Sequence, residues 1–266
     1  MSNKSANSDA KPADLVLVTG GLSGIGAATA QLLATRGIRV VVLDRAAAAA
    51  HPARPGIGIH PEPVDVSDEA AVAKACAAIE EESGPITGLV NAAGILGKMH
   101  PPQRLKLADW DREMAVDLRG TFVMCREIGA RMCGRRYGAI VNVGSVVGVL
   151  SAPVHGYGPA KAAVISLTAS LAAEWGPSGV RVNCVSPGFT ETEGLVKGLS
   201  AGALNEAELK RVAPMGRLVK PGEVAAAIIW LLGPDASGVT GINLPVDAGF
   251  LAGAGWQAYG GFRDNA

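Results

Sequence analysis

Residues 15–26 read LVLVTGGLSGIG, an apolar run that leads directly into a glycine-rich turn. A continuous run such as residues 15–18 predicts a strand that is buried on both faces of a parallel sheet. After the turn, apolar residues recur at helical spacing as far as Gly37, and residues 39–43 form a second apolar run. This order of strand, turn, helix and strand predicts a β-α-β unit.

The same alternation continues along the rest of the chain. Apolar runs predict strands over residues 59–64, 88–91, 139–143, 180–185 and 241–246, and helical spacing predicts helices over 67–82, 110–131, 158–175 and 221–232. Right-handed crossovers between about seven parallel strands place helices on both faces, so we expect a doubly wound α/β fold. The 266 residues suit one domain over residues 14–266, preceded by a polar, disordered tail over 1–13.

Two stretches interrupt the alternation. Residues 46–63 contain four prolines and two glycines, so we expect at most a brief helical turn there and then a loop. Residues 190–216 are mixed in polarity and contain several glycines. They are either a mobile lid over a site or an ordinary long loop with a weak helix.

The composition argues against several classes of partner. Lysine plus arginine and aspartate plus glutamate each total 24, so no basic excess is available for nucleic acid or for an anionic membrane. The longest strongly apolar stretches fall short of the roughly 20 residues that span a bilayer. Four scattered cysteines predict free, mostly buried thiols, and four dispersed histidines show no metal-binding spacing. The polar N-terminal residues lack the apolar core of a secretory signal, so we expect a cytoplasmic protein.

The turn at residues 19–26 is typical of a dinucleotide site. Its glycines let the backbone approach a pyrophosphate, which the first N–H groups of the next helix can bind, although such turns also occur without a ligand. Asp44 closes the second strand, where a carboxylate can accept hydrogen bonds from an adenosine ribose. A 2′-phosphate roughly 4 Å away would cost about 4 kcal/mol at an effective dielectric of about 20, which favours NAD over NADP. The next residue, Arg45, either offers a cation to such a phosphate or is simply solvated.

A second group of residues is suited to proton transfer. Tyr157 and Lys161, in the sequence YGPAK, lie on one face of the predicted helix, and an ammonium near a phenol favours the phenolate. Such a phenol can exchange a proton with an alcohol or a carbonyl. Ser145 closes a predicted strand and can hydrogen-bond the same substrate oxygen.

From residue 14 to about residue 250, the order and spacing of these motifs resemble the classical short-chain dehydrogenase/reductase family. The matching motifs are TGGLSGIG (19–26), Asp65-Val66, NAAG (91–94), Gly144-Ser145, YGPAK (157–161) and Pro187-Gly188. The resemblance implies a Rossmann-type fold with a mostly seven-stranded parallel sheet and, usually, a homotetramer. It also implies an oxidoreductase that transfers a hydride between a nicotinamide and a substrate carbon.

The same resemblance implies roles for individual residues. Tyr157 would be the general acid/base, Ser145 the partner of the substrate oxygen, and Lys161 both the support of the tyrosine and a ligand of the nicotinamide ribose. The cofactor-binding positions would be Gly20, Ser23, Gly24, Ile25, Gly26, Asp44, Arg45, Asp65, Val66, Asn91, Ala92, Gly94, Tyr157, Lys161, Pro187, Gly188, Thr190 and Thr192. The small residues at 91–94 also have a purely structural interpretation, because they let backbone and sheet pack closely.

One position departs from the pattern of the family. Asp117 stands where the family has an asparagine that helps to hold a kinked helix and a water in a proton relay through the lysine. An ionised carboxylate accepts hydrogen bonds but cannot donate one, so the relay must be rearranged or Asp117 protonated. We include Asp117 among the catalytic candidates and expect activity to be retained with an altered pH profile.

The substrate is less well defined by the sequence than the cofactor. The expected pocket edges, which include Val147 and His155, are largely apolar and favour a small, uncharged secondary alcohol or ketone. His155 either hydrogen-bonds a substituent of the substrate or faces solvent. Two alternative functions are a 3-oxoacyl-thioester reductase that uses NADP, against which Asp44 and the zero net charge argue, and a non-catalytic NAD-binding sensor or scaffold, which only Asp117 supports.

Subunit contacts are predicted at two places. The segment 251–266 is rich in aromatic residues in a chain with only 4% of them, so we expect it to pack on a neighbouring subunit, or else to be a frayed tail. The helices over 110–131 and 158–175 would form the other interface of the homotetramer.

Overall fold

The computed structural model of the chain describes residues 14–46, 54–97, 99–200 and 202–263, and the predicted tail over 1–13 lies outside them. Within this part, one parallel sheet has the strand order β3-β2-β1-β4-β5-β6-β7. The strands are β1 Leu15–Thr19, β2 Arg39–Leu43, β3 Ile57–Ile59, β4 Gly88–Asn91, β5 Gly138–Val143, β6 Val180–Pro187 and β7 Asn243–Val246. The helices are α1 Gly24–Thr35, α2 Glu69–Ser83, α3 Leu107–Glu113, α4 Thr121–Arg135, α5 Tyr157–Trp175, α6 Glu193–Ser200, α7 Glu206–Arg211, α8 Pro221–Leu232 and α9 Phe250–Gly253. This is the predicted Rossmann-type, doubly wound α/β fold.

Alternate residues of β1 enter two separate layers of the core. Leu15 and Leu17 pack with α2, α4 and α5, whereas Val16 and Val18 pack with α1 and α8 on the opposite face. All four side chains are almost completely buried, and each contributes about 1.5–3 kcal/mol of hydrophobic stabilisation. Burial on both faces explains why the run is continuously apolar instead of alternating.

The order of the strands reverses at β1. The chain passes from β1 to β2 and β3 on one side and then crosses to β4 on the other. Thr19 is in register with both Leu43 and Asn91, so three neighbouring strands end at the same edge of the sheet. Ligands of open α/β sheets bind in the crevice at such a reversal. The segments that follow these strands are therefore positioned to form one site.

The third strand differs from its prediction. It covers Ile57–Ile59, inside the stretch 46–63 that was predicted as a loop, and the predicted strand over 59–64 is wrong. Beyond Ile59 the backbone still bonds at His60 and Val64, whose N–H groups donate to Val42 and Asp44, but Pro61 and Pro63 lack the N–H groups that a regular strand needs.

The predicted helix over 110–131 is longer than expected and has an irregular centre. It begins at Leu107 as α3, widens into a π-helical segment over Met114–Gly120, and continues as α4 to Arg135. π-helical turns inside α-helices are rare and are frequent at functional sites. The widened segment contains Asp117, the position that departs from the family pattern.

Two further differences concern local hydrogen bonding. The helix predicted over 67–82 begins at Glu69, because the carboxylate of Asp68 caps it by accepting from the N–H groups of Ala70 and Ala71. The stretch 190–216 contains two short helices, α6 and α7, in place of a loop with one weak helix.

Two further observations concern membrane-spanning helices and the cysteines. Within the described ranges, no helix is long and apolar enough to cross a bilayer. Cys76, Cys125 and Cys184 are buried and Cys133 is half-buried, all four as free thiols, as predicted.

Candidate active site

The glycine turn is shaped for close backbone packing. Gly20 has φ +63°, and a Cβ atom there would lie 2.8 Å from the Cα of Ala93. A Cβ atom on Gly26 would collide with the carbonyl oxygen of Gly20. Ser23 precedes α1 with an exposed hydroxyl that makes no capping hydrogen bond. The turn therefore requires glycine, and it presents the N-terminus of α1 and the Ser23 hydroxyl to the crevice.

Asp44 lies beside this turn with its carboxylate fixed. Its Oδ2 accepts from the N–H of Leu22 at 3.2 Å and its Oδ1 from the N–H of Ala46 at 3.1 Å. The side chain of Arg45 is exposed. A fixed carboxylate at the end of β2 is an acceptor for a diol and repels a phosphate.

Asp65 is held by neighbours on both oxygens. Its Oδ1 accepts from the Ser67 N–H at 3.0 Å and from the Ser67 hydroxyl at 2.6 Å, and its Oδ2 pairs with Arg112 at 2.8 Å. Burial alone would raise the pKa of Asp65, but the bonds from Ser67 and Arg112 outweigh it and lower that pKa. The charged carboxylate is thus fixed in the wall of the crevice.

The side chain of Asn91, one of the predicted cofactor-binding residues, is not among those that line the crevice. It is buried in the core, where its Nδ2 donates to Asn142 Oδ1 at 2.9 Å and contacts Cys125 Sγ at 3.2 Å. The amide side chain of Asn91 thus packs inside the core. Ala92 and Gly94, by contrast, lie in the wall of the crevice.

Ser145, Tyr157 and Lys161 meet at the carboxyl end of β5. Ser145 is buried, and its hydroxyl accepts from the N–H of Val147 at 3.3 Å. Tyr157 is the first residue of α5, and Lys161, one turn later, places its Nζ 5.4 Å from the centre of the tyrosine ring. The Lys161 ammonium is anchored by a 2.9 Å hydrogen bond to the Val143 carbonyl. The ammonium and the tyrosine ring are thus neighbours, and Ser145 lines the same cleft.

A single cleft of about 1380 Å³ connects this region with the glycine turn. The predicted site residues that line it are Gly20, Ser23, Gly24, Ile25, Gly26, Asp44, Arg45, Asp65, Val66, Ala92, Gly94, Ser145, Val147, His155, Tyr157, Lys161, Pro187, Gly188, Thr190 and Thr192. The cleft is also lined by residues that the motifs did not indicate, mostly apolar: Leu96, Met99, His100, Arg112, Phe189 and Leu204.

The comparisons with known proteins agree with this geometry. A family model described as enoyl-(acyl carrier protein) reductase matches residues 20–251. The chain is 39% identical over 242 residues to D-threitol dehydrogenase from Mycolicibacterium smegmatis, a match that covers 89% of this chain and 92% of that protein. The chain belongs to the classical short-chain dehydrogenase/reductase family.

Two further relatives of this dehydrogenase/reductase have names that indicate other activities or none. The inactive 2-(S)-hydroxypropyl-CoM dehydrogenase 2 of Xanthobacter autotrophicus is 42% identical over 224 residues, which cover 81% of this chain and 96% of that one. A crystal structure named ribose-5-phosphate isomerase, from Brucella melitensis 16M, is 45% identical with a TM-score of 0.91, and the match covers 97% of this chain and 100% of that one.

The family membership establishes the coarse activity. The protein is a short-chain dehydrogenase/reductase that acts on CH–OH groups with a nicotinamide cofactor. The residues in the cleft fit such a cofactor, because glycine is required at positions 20 and 26 and the N-terminus of α1 opens toward the cleft.

Asp117 lies behind the cleft and does not line it. It is completely buried; its Oδ1 accepts from the N–H of Ile95 at 2.9 Å and lies 3.8 Å from Lys161 Nζ. Its Oδ2 has no hydrogen-bond partner among the described residues. Burial raises the pKa of this carboxyl, and the nearby ammonium and N–H group only partly oppose that effect. Lys161 is thus a cleft residue near which the Asp117 carboxylate lies.

Replacing Asp117 with asparagine should change how stability depends on pH. Because its pKa is higher in the folded chain than the ordinary 3.8, the folded state binds more protons, and this group makes the wild type less stable as pH rises between those two pKa values. We expect the free energy of unfolding of wild type, relative to Asp117→Asn, to fall across that window. Urea unfolding at several pH values measures it, with the exposed Asp235→Asn as the control. A pH-independent difference between wild type and Asp117→Asn would contradict the prediction.

Proposed function

We propose that the protein is an NAD-dependent dehydrogenase, or carbonyl reductase in the reverse direction, for small uncharged secondary alcohols. The observation that carries this proposal is the convergence of Ser145, Tyr157 and Lys161 at one part of a cleft that also contains the glycine turn and Asp44. An isomerase, by contrast, has no need of a dinucleotide cleft next to its acid/base.

The proton chemistry follows from the three side chains. Tyr157 takes the hydroxyl proton of the alcohol as its phenolate, which the ammonium of Lys161 stabilises. Ser145 donates its hydroxyl hydrogen to the same substrate oxygen, and orients it. The bound nicotinamide would supply the other half of the reaction by accepting the hydride of the carbinol carbon. Gly24, Ser23 and Lys161 would be among the residues that hold the cofactor.

The preference for NAD rests on Asp44. Its two backbone hydrogen bonds leave further lone pairs on both oxygens for the hydroxyls of a ribose. The same fixed charge opposes the 2′-phosphate of NADP. Arg45, which is exposed and follows Asp44 in the cleft wall, is a cation that would weaken this preference.

The proposed substrate class rests on the apolar lining of the cleft. Val147, Phe189 and Leu204 face the cleft together with Leu96 and Met99. Burying an apolar substrate body against such a wall is favourable, at about 25 cal/mol per Å². The D-threitol dehydrogenase relative is named for a polyol, whereas this lining favours an alcohol with fewer hydroxyl groups.

Two features of the assembly belong to the same proposal. The segment 190–216, with α6 and α7, would be a lid over the substrate, because Thr192 and Leu195 line the cleft. The protein would form a homotetramer, in which the exposed Phe122 of α4 and the exposed Trp256 and Tyr259 become buried. Light scattering of the purified protein tests the tetramer.

Absorbance of reduced nicotinamide tests the activity directly. Purified protein is mixed with NAD or NADP and a panel of secondary alcohols, some with apolar bodies and some polyols, at several pH values. We expect turnover with NAD and an apolar alcohol, a loss of turnover in Ser145→Ala, and normal turnover in the control Ser237→Ala, an exposed serine outside the predicted subunit contacts. Binding of NAD without turnover in wild type, but with turnover in Asp117→Asn, would refute the proposal that the wild type is active.

A further inference from the structure

Phe189 is an aromatic residue in the wall of the cleft, just after the end of β6. It is half-buried and lines the cleft together with Tyr157 and Leu204. Its carbonyl oxygen accepts from the N–H of Val219 at 2.9 Å, so its backbone is fixed. An aromatic ring presents a large apolar surface to its neighbours. The position of the Phe189 ring therefore affects how much room the cleft leaves for the body of a substrate.

The ring of Phe250 packs against the ring of Phe189. The two ring centres lie 5.4 Å apart with their planes at 84°, the edge-to-face arrangement that aromatic pairs favour. Phe250 is the first residue of α9, and in the part of the chain that the structure describes it is not among the residues that line the cleft. It thus supports a residue of the cleft wall without belonging to that wall.

The turn between β7 and α9 fixes where Phe250 lies. Gly188 packs so closely on this turn that a Cβ atom there would lie 2.7 Å from Asp247 Cα. Two backbone N–H groups of the turn donate to the Asp247 carboxylate, each at 2.9 Å. Ala248 has φ +53°, a left-handed conformation that is unfavourable for a residue with a Cβ atom and that the surrounding contacts maintain. The start of α9 is therefore held firmly next to the end of β6.

The same turn and α9 also contact the end of the proposed lid. A Cβ atom on Gly249 or Gly253 would lie 3.0 Å or 2.9 Å from Pro214 Cγ. Arg211 Nη1 donates to Gln257 Oε1 at 2.8 Å. The helix α9 is thus held from two sides, and it provides a fixed support for the aromatic ring in the cleft wall.

We propose that Phe250 is a specificity-determining positioning residue, which holds the Phe189 ring in the cleft and thereby limits the size of the alcohol that the site accepts. This rests on the alcohol oxidation proposed above. A smaller side chain at position 250 leaves space behind Phe189, so that its ring withdraws and the cleft becomes larger. Phe250→Leu should therefore favour bulky alcohols over small ones.

Steady-state kinetics with two alcohols test the specificity. In Phe250→Leu, the ratio of kcat/KM for cyclohexanol to kcat/KM for isopropanol should rise about tenfold, since a difference of one methylene in an apolar pocket changes discrimination by about 10–200-fold. KM for NAD should stay unchanged. Phe189→Leu should also raise the ratio, and adding Phe250→Leu to it should change the ratio no further, because Phe250 acts through Phe189.

Phe262→Leu is the matched control. It removes the same atoms from the segment 251–266, where the Phe262 ring lies 6.2 Å from that of Trp256. Because this segment is predicted to contact a neighbouring subunit, the control also reports the effect of a disturbed contact. We expect it to keep the wild-type ratio. An unchanged ratio in Phe250→Leu, an equal rise in Phe262→Leu, or a further rise in the double variant would each overturn the proposal.

Crystal structures of the wild type and of Phe250→Leu test the positioning without any substrate. In the variant, the Phe189 ring should turn into the space that the Phe250 ring occupied. A Phe189 ring that keeps its wild-type position would overturn the proposal. If the wild type oxidises no alcohol, the proposed function fails, whereas the position of the Phe189 ring still decides whether Phe250 holds it.

Discussion

Replacing Tyr157 with phenylalanine should lower kcat on the order of 10³-fold, a far larger change than in the affinity for NAD. The phenolic oxygen is the only heavy atom removed, and loss of a positioned acid/base lowers the rate by about 10²–10⁴-fold. The hydroxyl makes no hydrogen bond to the described residues, so the free energy of unfolding should also stay the same. Stopped-flow measurement of nicotinamide reduction gives kcat, and fluorescence titration gives the affinity for the cofactor.

The chain provides a matched control for this substitution. Tyr259 does not line the cleft, and Tyr259→Phe removes the same atom while keeping the ring that would pack in the proposed tetramer. We expect its kcat to equal that of the wild type. A Tyr157→Phe protein that keeps more than about a tenth of the wild-type kcat would show that another group exchanges the proton.

The architecture was predictable because it rests on strong local patterns. The run at residues 15–18 is apolar at every position, since β1 is buried on both faces, and the glycines that follow are required by the packing of Gly20 against Ala93. Tyr157 and Lys161 are one helical turn apart, so their proximity follows from the helix alone. Local sequence therefore specified both the glycine-turn side of the cleft and the pairing of Tyr157 with Lys161.

Features that depend on distant segments were not predictable in this way. Glu113 lies in the charged stretch ADWDREMAVD, which is typical of an exposed helix surface. Only the fold brings Gly97 and Gly156 over its carboxylate and places Asp117 next to Lys161. Asn91 shows the same limit, because its side chain is directed into the core by Asn142, a residue 51 positions later. Its motif alone could not distinguish a core amide from a cleft residue.

Replacing Asp44 with asparagine should reduce the preference for NAD over NADP by about 100-fold, measured as the ratio of the two kcat/KM values. The full repulsion between a carboxylate and a phosphate is about 4 kcal/mol at 4 Å and an effective dielectric of about 20, and solvent at this half-exposed site screens part of it. Asparagine keeps the volume and one acceptor oxygen, so the backbone around Leu22 and Ala46 should be preserved.

The values of kcat/KM with NADP and with NAD, measured separately in Asp44→Asn, separate the contributions of Asp44 and Arg45. With the carboxylate neutralised, Arg45 becomes the dominant charge beside the ribose position, so most of the effect should be a gain in kcat/KM with NADP and a smaller loss with NAD. Adding Arg45→Gln to Asp44→Asn should cancel the gain with NADP, whereas the exposed control Asp235→Asn should change neither ratio. A wild type that already prefers NADP would mean that Arg45, and not Asp44, determines which cofactor binds.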